Sequence, residues 1–281
     1  MSDTPEDLPL VVPPIPTPVP VPRRVPNFGN TVLFFAVSII VLLLTSVSVF
    51  ALAMGLRLFG PESTEQLLRE PRLLIPSMAV GYLVAGTIVW AIFSHVWQQP
   101  FPQALQWNFS AVRRRWGALL IGGVVLSLGV QFLSNFLPVP KTLPIDDFFR
   151  TSADVWMVAL FGTFLAPVFE ELAFRGFLLP SLASAWDWLS RRPDPSRWSI
   201  SALLVSCGLT SIGFALVHAD QLAHAWAPLA VLFGVSLVLC LVRLWTQSLA
   251  ACTLIHAIYN GTIFTVLFFG TDGFRHLDKI S

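Results

Sequence analysis

The chain has 281 residues, of which 55% are hydrophobic and only 12% charged, against about 25% charged in a soluble domain. Mean hydropathy is +0.72 and the formal net charge is +1 at pH 7. These values describe an integral membrane protein and give no general electrostatic case for nucleic acid or an acidic partner.

Residues 1–30 stand apart. They include VVPPIPTPVPVPRRVPNFGN, with proline at almost every second position from Pro14 to Pro22. Such a stretch favours extended polyproline II and opposes helix, so it reads as a disordered or semi-rigid tail. The first apolar run is too long for the hydrophobic region of a signal peptide.

Seven apolar runs follow, at about 31–56, 73–97, 117–137, 155–182, 199–219, 226–245 and 248–270. Each is long enough, or nearly so, to cross a hydrocarbon core as helix, and helix is required because open strands leave backbone groups unpaired there. An eighth segment, 99–112 (QPFPQALQWNFSAV), suits the membrane interface better than a span. The expected fold is therefore an all-α, polytopic transmembrane helix bundle of about seven to eight spanning helices, with its chemistry in an intramembrane cavity. The expected division is a Pro-rich tail at 1–30, N-terminal helices with an interfacial segment at 31–116, a membrane core at 117–270 and a short polar tail at 271–281.

Of the 17 basic residues only Lys141 and Lys279 are lysines. Arg23 and Arg24, Arg113 to Arg115, Arg191, Arg192 and Arg197, and Arg243 fall in alternate loops or beside them, whereas the intervening loops are mixed in sign. The positive-inside rule then places the amino terminus in the cytosol and, with seven spans, the carboxyl terminus outside. Arginine-rich loops without sorting signals suit a bacterial inner membrane. Cys207, Cys240 and Cys252 all lie inside apolar runs with no CxxC, and read as buried small hydrophobes.

Ionisable groups inside such runs are costly unless they face partners, water or a cavity. The fourth run holds FLAPVFEELAFRGFLL, with Glu170, Glu171 and Arg175. Adjacent helical residues point about 100° apart, so the two glutamates serve different tasks. Glu171 and Arg175 share a face in the favourable order, and pair; Glu170 is left to face a cavity. Pro167 loosens the helix just before them. His218 ends the fifth run, one turn after Phe214, while His224 reads as interfacial. His256 and Asn260 share one face of the seventh run.

A carboxylate and a histidine can position and deprotonate water, and a second histidine with an amide can donate to a developing oxyanion. That set suits hydrolysis of an amide bond. Glu170, His218 and His256 also have the ligand types of a His2Glu zinc site, and the sequence leaves both readings open. No HExxH or GxSxG is present. Buried Glu, Arg and His also mark ion pathways, which keeps a transport protein in view.

Three separated signals line up: EExxxR at 170–175, FxxxH at 214–218 and HxxxN at 256–260. Together they resemble the CPBP family of intramembrane proteases, which includes the CAAX prenyl endopeptidase of the endoplasmic reticulum and bacterial abortive-infection-like membrane proteins. The resemblance covers about 117–270. It implies a glutamate-dependent endopeptidase, although such proteins are often called metalloproteases. It makes Glu170 the catalytic glutamate and His218 its partner on water. His256 and Asn260 would form the oxyanion site, and Glu171 and Arg175 would hold the first motif. The implied partner is a membrane-associated peptide or protein, prenylated or not, within a lipid bilayer. The resemblance implies no firm cofactor, with zinc as the alternative. Some relatives act in bacteriocin self-immunity or as scaffolds, so a non-catalytic role is the competing reading. The run limits place Glu170 past the middle of its run and His218 near the outer end of the next, whereas the chemistry needs them at one depth.

Overall fold

The structure, a computed structural model, describes residues 25–58, 70–140, 142–192 and 197–277. Most of the Pro-rich tail, Arg23 and Arg24, Lys141 and Lys279 lie outside the described residues.

Seven helices among the described residues are long and apolar enough to cross a membrane. They are α1 Phe28–Gly55, α2 Pro71–Trp97, α3 Phe109–Ser134, α4 Ser152–Leu189, α5 Ile200–Val217, α6 Trp226–Thr246 and α7 Leu249–Gly270. The chain is thus an all-α, multi-spanning membrane protein. The expected eighth segment is not a span. It forms a four-residue helical turn, Phe101–Ala104, and then the start of α3.

Polar residues fix where the apolar helices begin. Asn27 caps α1 in a reciprocal box with Asn30, their backbone-to-side-chain bonds being 3.0 and 3.2 Å. Asn108 accepts from the Ser110 and Ala111 amides, which starts α3 eight residues earlier than its apolar run suggests. Thr151 and Asp154 form the box that opens α4, and Arg72 at the head of α2 reaches Asp154 at 3.1 Å. Ser199 caps α5 and Ser248 caps α7.

The largest difference from expectation is the length of α4. Its apolar run fades near residue 182, yet the helix continues through SAWDWL to Leu189. Asp187, which looks like a terminator in sequence, is 6% exposed and accepts from the Ser199 hydroxyl at 2.6 Å. It thereby ties the end of α4 to the cap of α5. At 38 residues, α4 runs well beyond the roughly 20 residues that a span requires.

Two stretches of α4 widen into π-helix, Phe161–Leu165 and Leu172–Leu178. Between them lies one α-helical segment, Ala166–Glu171, which contains both glutamates. Phe34 of α1, Phe93 of α2 and Phe177 of α4 form the centre of one apolar cluster, with Phe34 and Phe177 stacked at 4.3 Å. A second cluster joins Leu119 of α3, Leu239 of α6 and Ile255 of α7. There α3 and α7 pack backbone to side chain. A Cβ on Gly123 would lie 2.6 Å from Ile258 Cγ2 and 3.1 Å from the Ile255 carbonyl. Large apolar side chains such as Leu43, Leu44 and Val47 face outward from α1, as lipid contact requires. Within the expected polar tail, Phe274 turns inward, 2% exposed, edge-on to Trp156 and Phe268.

Candidate functional site

Glu171 lies 18 residues before the end of α4, and His218 lies 18 residues after the start of α5. Phe174 and Phe214, about one turn from Glu171 and His218 on their own helices, meet edge-on at 5.2 Å, so α4 and α5 approach each other there. Helix α5 stops there, with His218 as its C-cap. Beyond it the 3-10 turn Asp220–Leu222 packs against another 3-10 turn, Pro144–Phe149.

Glu171 and Arg175 form the pair expected from their spacing. Arg175 Nη1 donates to Glu171 Oε1 at 3.0 Å, and neither side chain has any exposure. A buried guanidinium has more donors than one carboxylate oxygen can satisfy. Arg175 Nη2 therefore also donates to the Ser236 carbonyl at 2.9 Å and to its hydroxyl at 2.7 Å. The Arg175 guanidinium carbon lies 4.9 Å from the centre of the Phe214 ring, a cation–π contact. Ser236 is a member of the site that sequence reading missed. Its only signal is a small hydroxyl in the apolar run of α6.

His256 is brought to the same glutamate. Its Nδ1 lies 2.8 Å from Glu171 Oε1, the oxygen that Arg175 also bonds. An ionised carboxylate only accepts, so His256 Nδ1 carries the hydrogen. The other ring nitrogen, Nε2, faces Glu170 Oε2 at 3.8 Å. Among the described residues Glu170 makes no side-chain hydrogen bond, and its side chain is 19% exposed while that of Glu171 is fully enclosed. The two glutamates thus differ in the way their 100° separation implies. Glu171 is built into the bundle and Glu170 is left open.

His218 joins the group through an aromatic hub. Its ring lies 4.9 Å from that of Phe214, which also meets His256 at 5.9 Å and Phe174 at 5.2 Å. No hydrogen bond or ion pair links His218 to Glu170 directly. His218 Nδ1 donates to the Phe214 carbonyl at 2.8 Å, since a carbonyl can only accept. In the neutral ring that tautomer leaves the lone pair on Nε2.

Asn260 lies one turn beyond His256, and its Nδ2 donates to the Gly162 carbonyl in the first π segment at 2.7 Å. The approach is close there. A Cβ on Gly261 would lie 3.2 Å from Thr163 Cγ2. His224 pairs with Asp220 at 3.3 Å, with both side chains largely exposed, so it is peripheral.

Among the described residues no three His, Cys, Asp or Glu side chains are arranged to hold a metal ion. The Glu170, His218 and His256 set is therefore not assembled as a zinc site. The three cysteines are free and buried, as expected.

Residues 152–262 match a family model described as type II CAAX prenyl endopeptidase Rce1-like. The matched segment runs from the start of α4 into α7 and contains all six residues considered above. No curated protein and no solved structure gave a match to the chain.

Proposed function

Residues 152–262 belong to the CPBP/Rce1-like CAAX protease family, and from that membership we propose that this protein is a glutamate-dependent intramembrane endopeptidase with Glu170 as its general base. One observation carries the reading. Of two adjacent glutamates, Glu171 is locked between Arg175 and His256, while Glu170 is partly exposed and, among the described residues, meets only His256 Nε2 at 3.8 Å without a side-chain hydrogen bond.

In this reading Glu170 takes a proton from water held with the help of His218 Nε2. The resulting hydroxide attacks the scissile carbonyl carbon, forming a C–O bond and an oxyanion. His256 is held by Glu171 through Nδ1, which leaves Nε2, the nitrogen that faces Glu170, as the position from which it would donate to the oxyanion. The second amide hydrogen of Asn260 is the other donor. Glu170 then returns its proton to the amine as the C–N bond breaks. A membrane-associated protein or peptide is the substrate class, and a prenylated C-terminal segment is the form that the family description suggests.

We also infer a cytosolic amino terminus. Arg113 to Arg115 open α3, Arg191 and Arg192 follow α4, and Arg243 lies in the last turn of α6. Arg115 lies 5.1 Å over the Trp245 ring, so the ends of α3 and α6 are on one side.

The test is cleavage in proteoliposomes of a fluorogenic prenylated peptide and a non-prenylated control, with wild type and Glu170→Gln in parallel. Loss of cleavage in the variant alone supports the reading. Cleavage that survives Glu170→Gln sinks it. No cleavage by wild type of either peptide turns the weight to a scaffolding or transport role.

A further inference from the structure

Asn260 is engaged with the backbone of α4 at a point where that backbone lacks a donor. The first π segment ends with the Ala166 amide donating to the Phe161 carbonyl, five residues back. In that register the next amide, at position 167, would serve the carbonyl of Gly162. Position 167 is proline and has no N–H. The Gly162 carbonyl is instead served from another helix, by Asn260 Nδ2 at 2.7 Å. Among the described residues this is a long-range substitute for a missing local bond, made across 98 positions of sequence.

The location gives the substitution a consequence. Five-residue repeats are uncommon, and an extra residue in a turn rotates everything after it by about 100° relative to everything before. Glu170 and Glu171 lie three and four residues after Pro167. The phase of the π turn therefore sets which of Glu170 and Glu171 points across the bundle at His256. By that 100°, relaxation of Phe161–Leu165 to α-helix would carry Glu170 into the direction that Glu171 now takes and turn Glu171 away from His256. That histidine lies on the same helix as Asn260, one turn earlier, so a single face of α7 holds both the carboxylate and the backbone that aims it.

We propose that Asn260 is a positioning residue that replaces the hydrogen bond Pro167 cannot make to Gly162, and so holds the π turn that aims Glu170 and Glu171. This rests on the peptidase reading for its effect on rate, but not for its effect on structure. It is a task of one amide hydrogen, separate from any donation by the other to an oxyanion.

A double-variant cycle tests it, using full-length protein in detergent for thermal unfolding and in proteoliposomes for cleavage. The variants are Asn260→Ala, Pro167→Ala and the two combined. Asn260→Ala leaves a half-buried carbonyl without this donor and is expected to lower Tm by about 3–6 °C. Pro167→Ala restores an amide at the position facing Gly162. The combined variant is expected to recover most of that Tm loss. Its kcat is expected to be about tenfold above that of Asn260→Ala, with KM little changed. Additive Tm losses would overturn the proposal, because they mean that Asn260 and Pro167 do not share Gly162. Recovery of Tm with no recovery of kcat would reduce Asn260 to a structural bond and overturn the positioning claim. If Asn260→Ala yields no folded protein, folding of the combined variant supports the proposal and failure of both overturns it. Wild type that cleaves no peptide is a failure of the peptidase reading instead, and the Tm cycle then decides the backbone claim on its own.

Discussion

One oxygen of Glu171 accepts from two sides: from Arg175 at 3.0 Å along its own helix, and from His256 Nδ1 at 2.8 Å across the bundle. The first bond is local and the second joins α4 to α7. The adjacent Glu170 makes neither bond and meets only the far side of the same imidazole, at 3.8 Å from Nε2.

Glu170→Gln and Glu171→Gln should therefore separate cleanly. Glu170→Gln is expected to lower kcat about 10²–10⁴-fold, the usual contribution of a general base, with Tm close to wild type. Glu171→Gln leaves a fully buried guanidinium without its carboxylate and is expected to cost about 3–5 kcal/mol. Thermal unfolding in detergent, beside the cleavage assay, checks both. Equal Tm losses in the two variants would contradict the division of labour.

Ser236→Ala removes the 2.7 Å hydroxyl acceptor of Arg175 but leaves the 2.9 Å carbonyl in place. The expected loss is about 1 kcal/mol, with KM unchanged. Unfolding midpoints of Ser236→Ala and Ser236→Thr decide it, since threonine keeps the hydroxyl.

Gly123→Ala places a methyl within 2.6–2.8 Å of two carbons of Ile258, a β-branched side chain with little room to move. The expected cost is about 1–3 kcal/mol from overpacking between α3 and α7. A compensating Ile258→Ala should recover part of it. A Gly123→Ala protein as stable as wild type would mean that the two helices can separate freely.

Cleavage should persist in the presence of a chelator, because Glu170, His218 and His256 are not gathered into a metal-holding group. The measurement is the proteoliposome rate before and after chelation, followed by zinc addition. A rate lost on chelation and restored by zinc, with the protein still folded, would replace the general-base mechanism with a metal-centred one.

The span count and the Glu171–Arg175 pair were legible in sequence because both rest on local physics. Hydrophobic length decides which segments cross a membrane, and a spacing of four puts two residues on one helix face. The end of α4 was not legible. Asp187 and the serines around it lower the apolar count, and only the Ser199 cap on the other side of the hairpin makes Asp187 part of a buried helix end. The start of α3 was missed for a related reason, since Asn108 acts through two backbone amides rather than through hydropathy.

What the sequence determined by itself was an apolar α-helical chain carrying six polar residues too costly to leave in lipid without a purpose. What only the tertiary structure decided was their partners. His256 pairs with Glu171 over 85 positions, Arg175 reaches Ser236 over 61 and Asn260 reaches Gly162 over 98. Periodicity fixes the face on which a side chain lies, but the residue opposite depends on helix register and on the phase shifts that the π turns introduce. Those are set by packing and by hydrogen bonds between helices, which no single stretch of sequence contains.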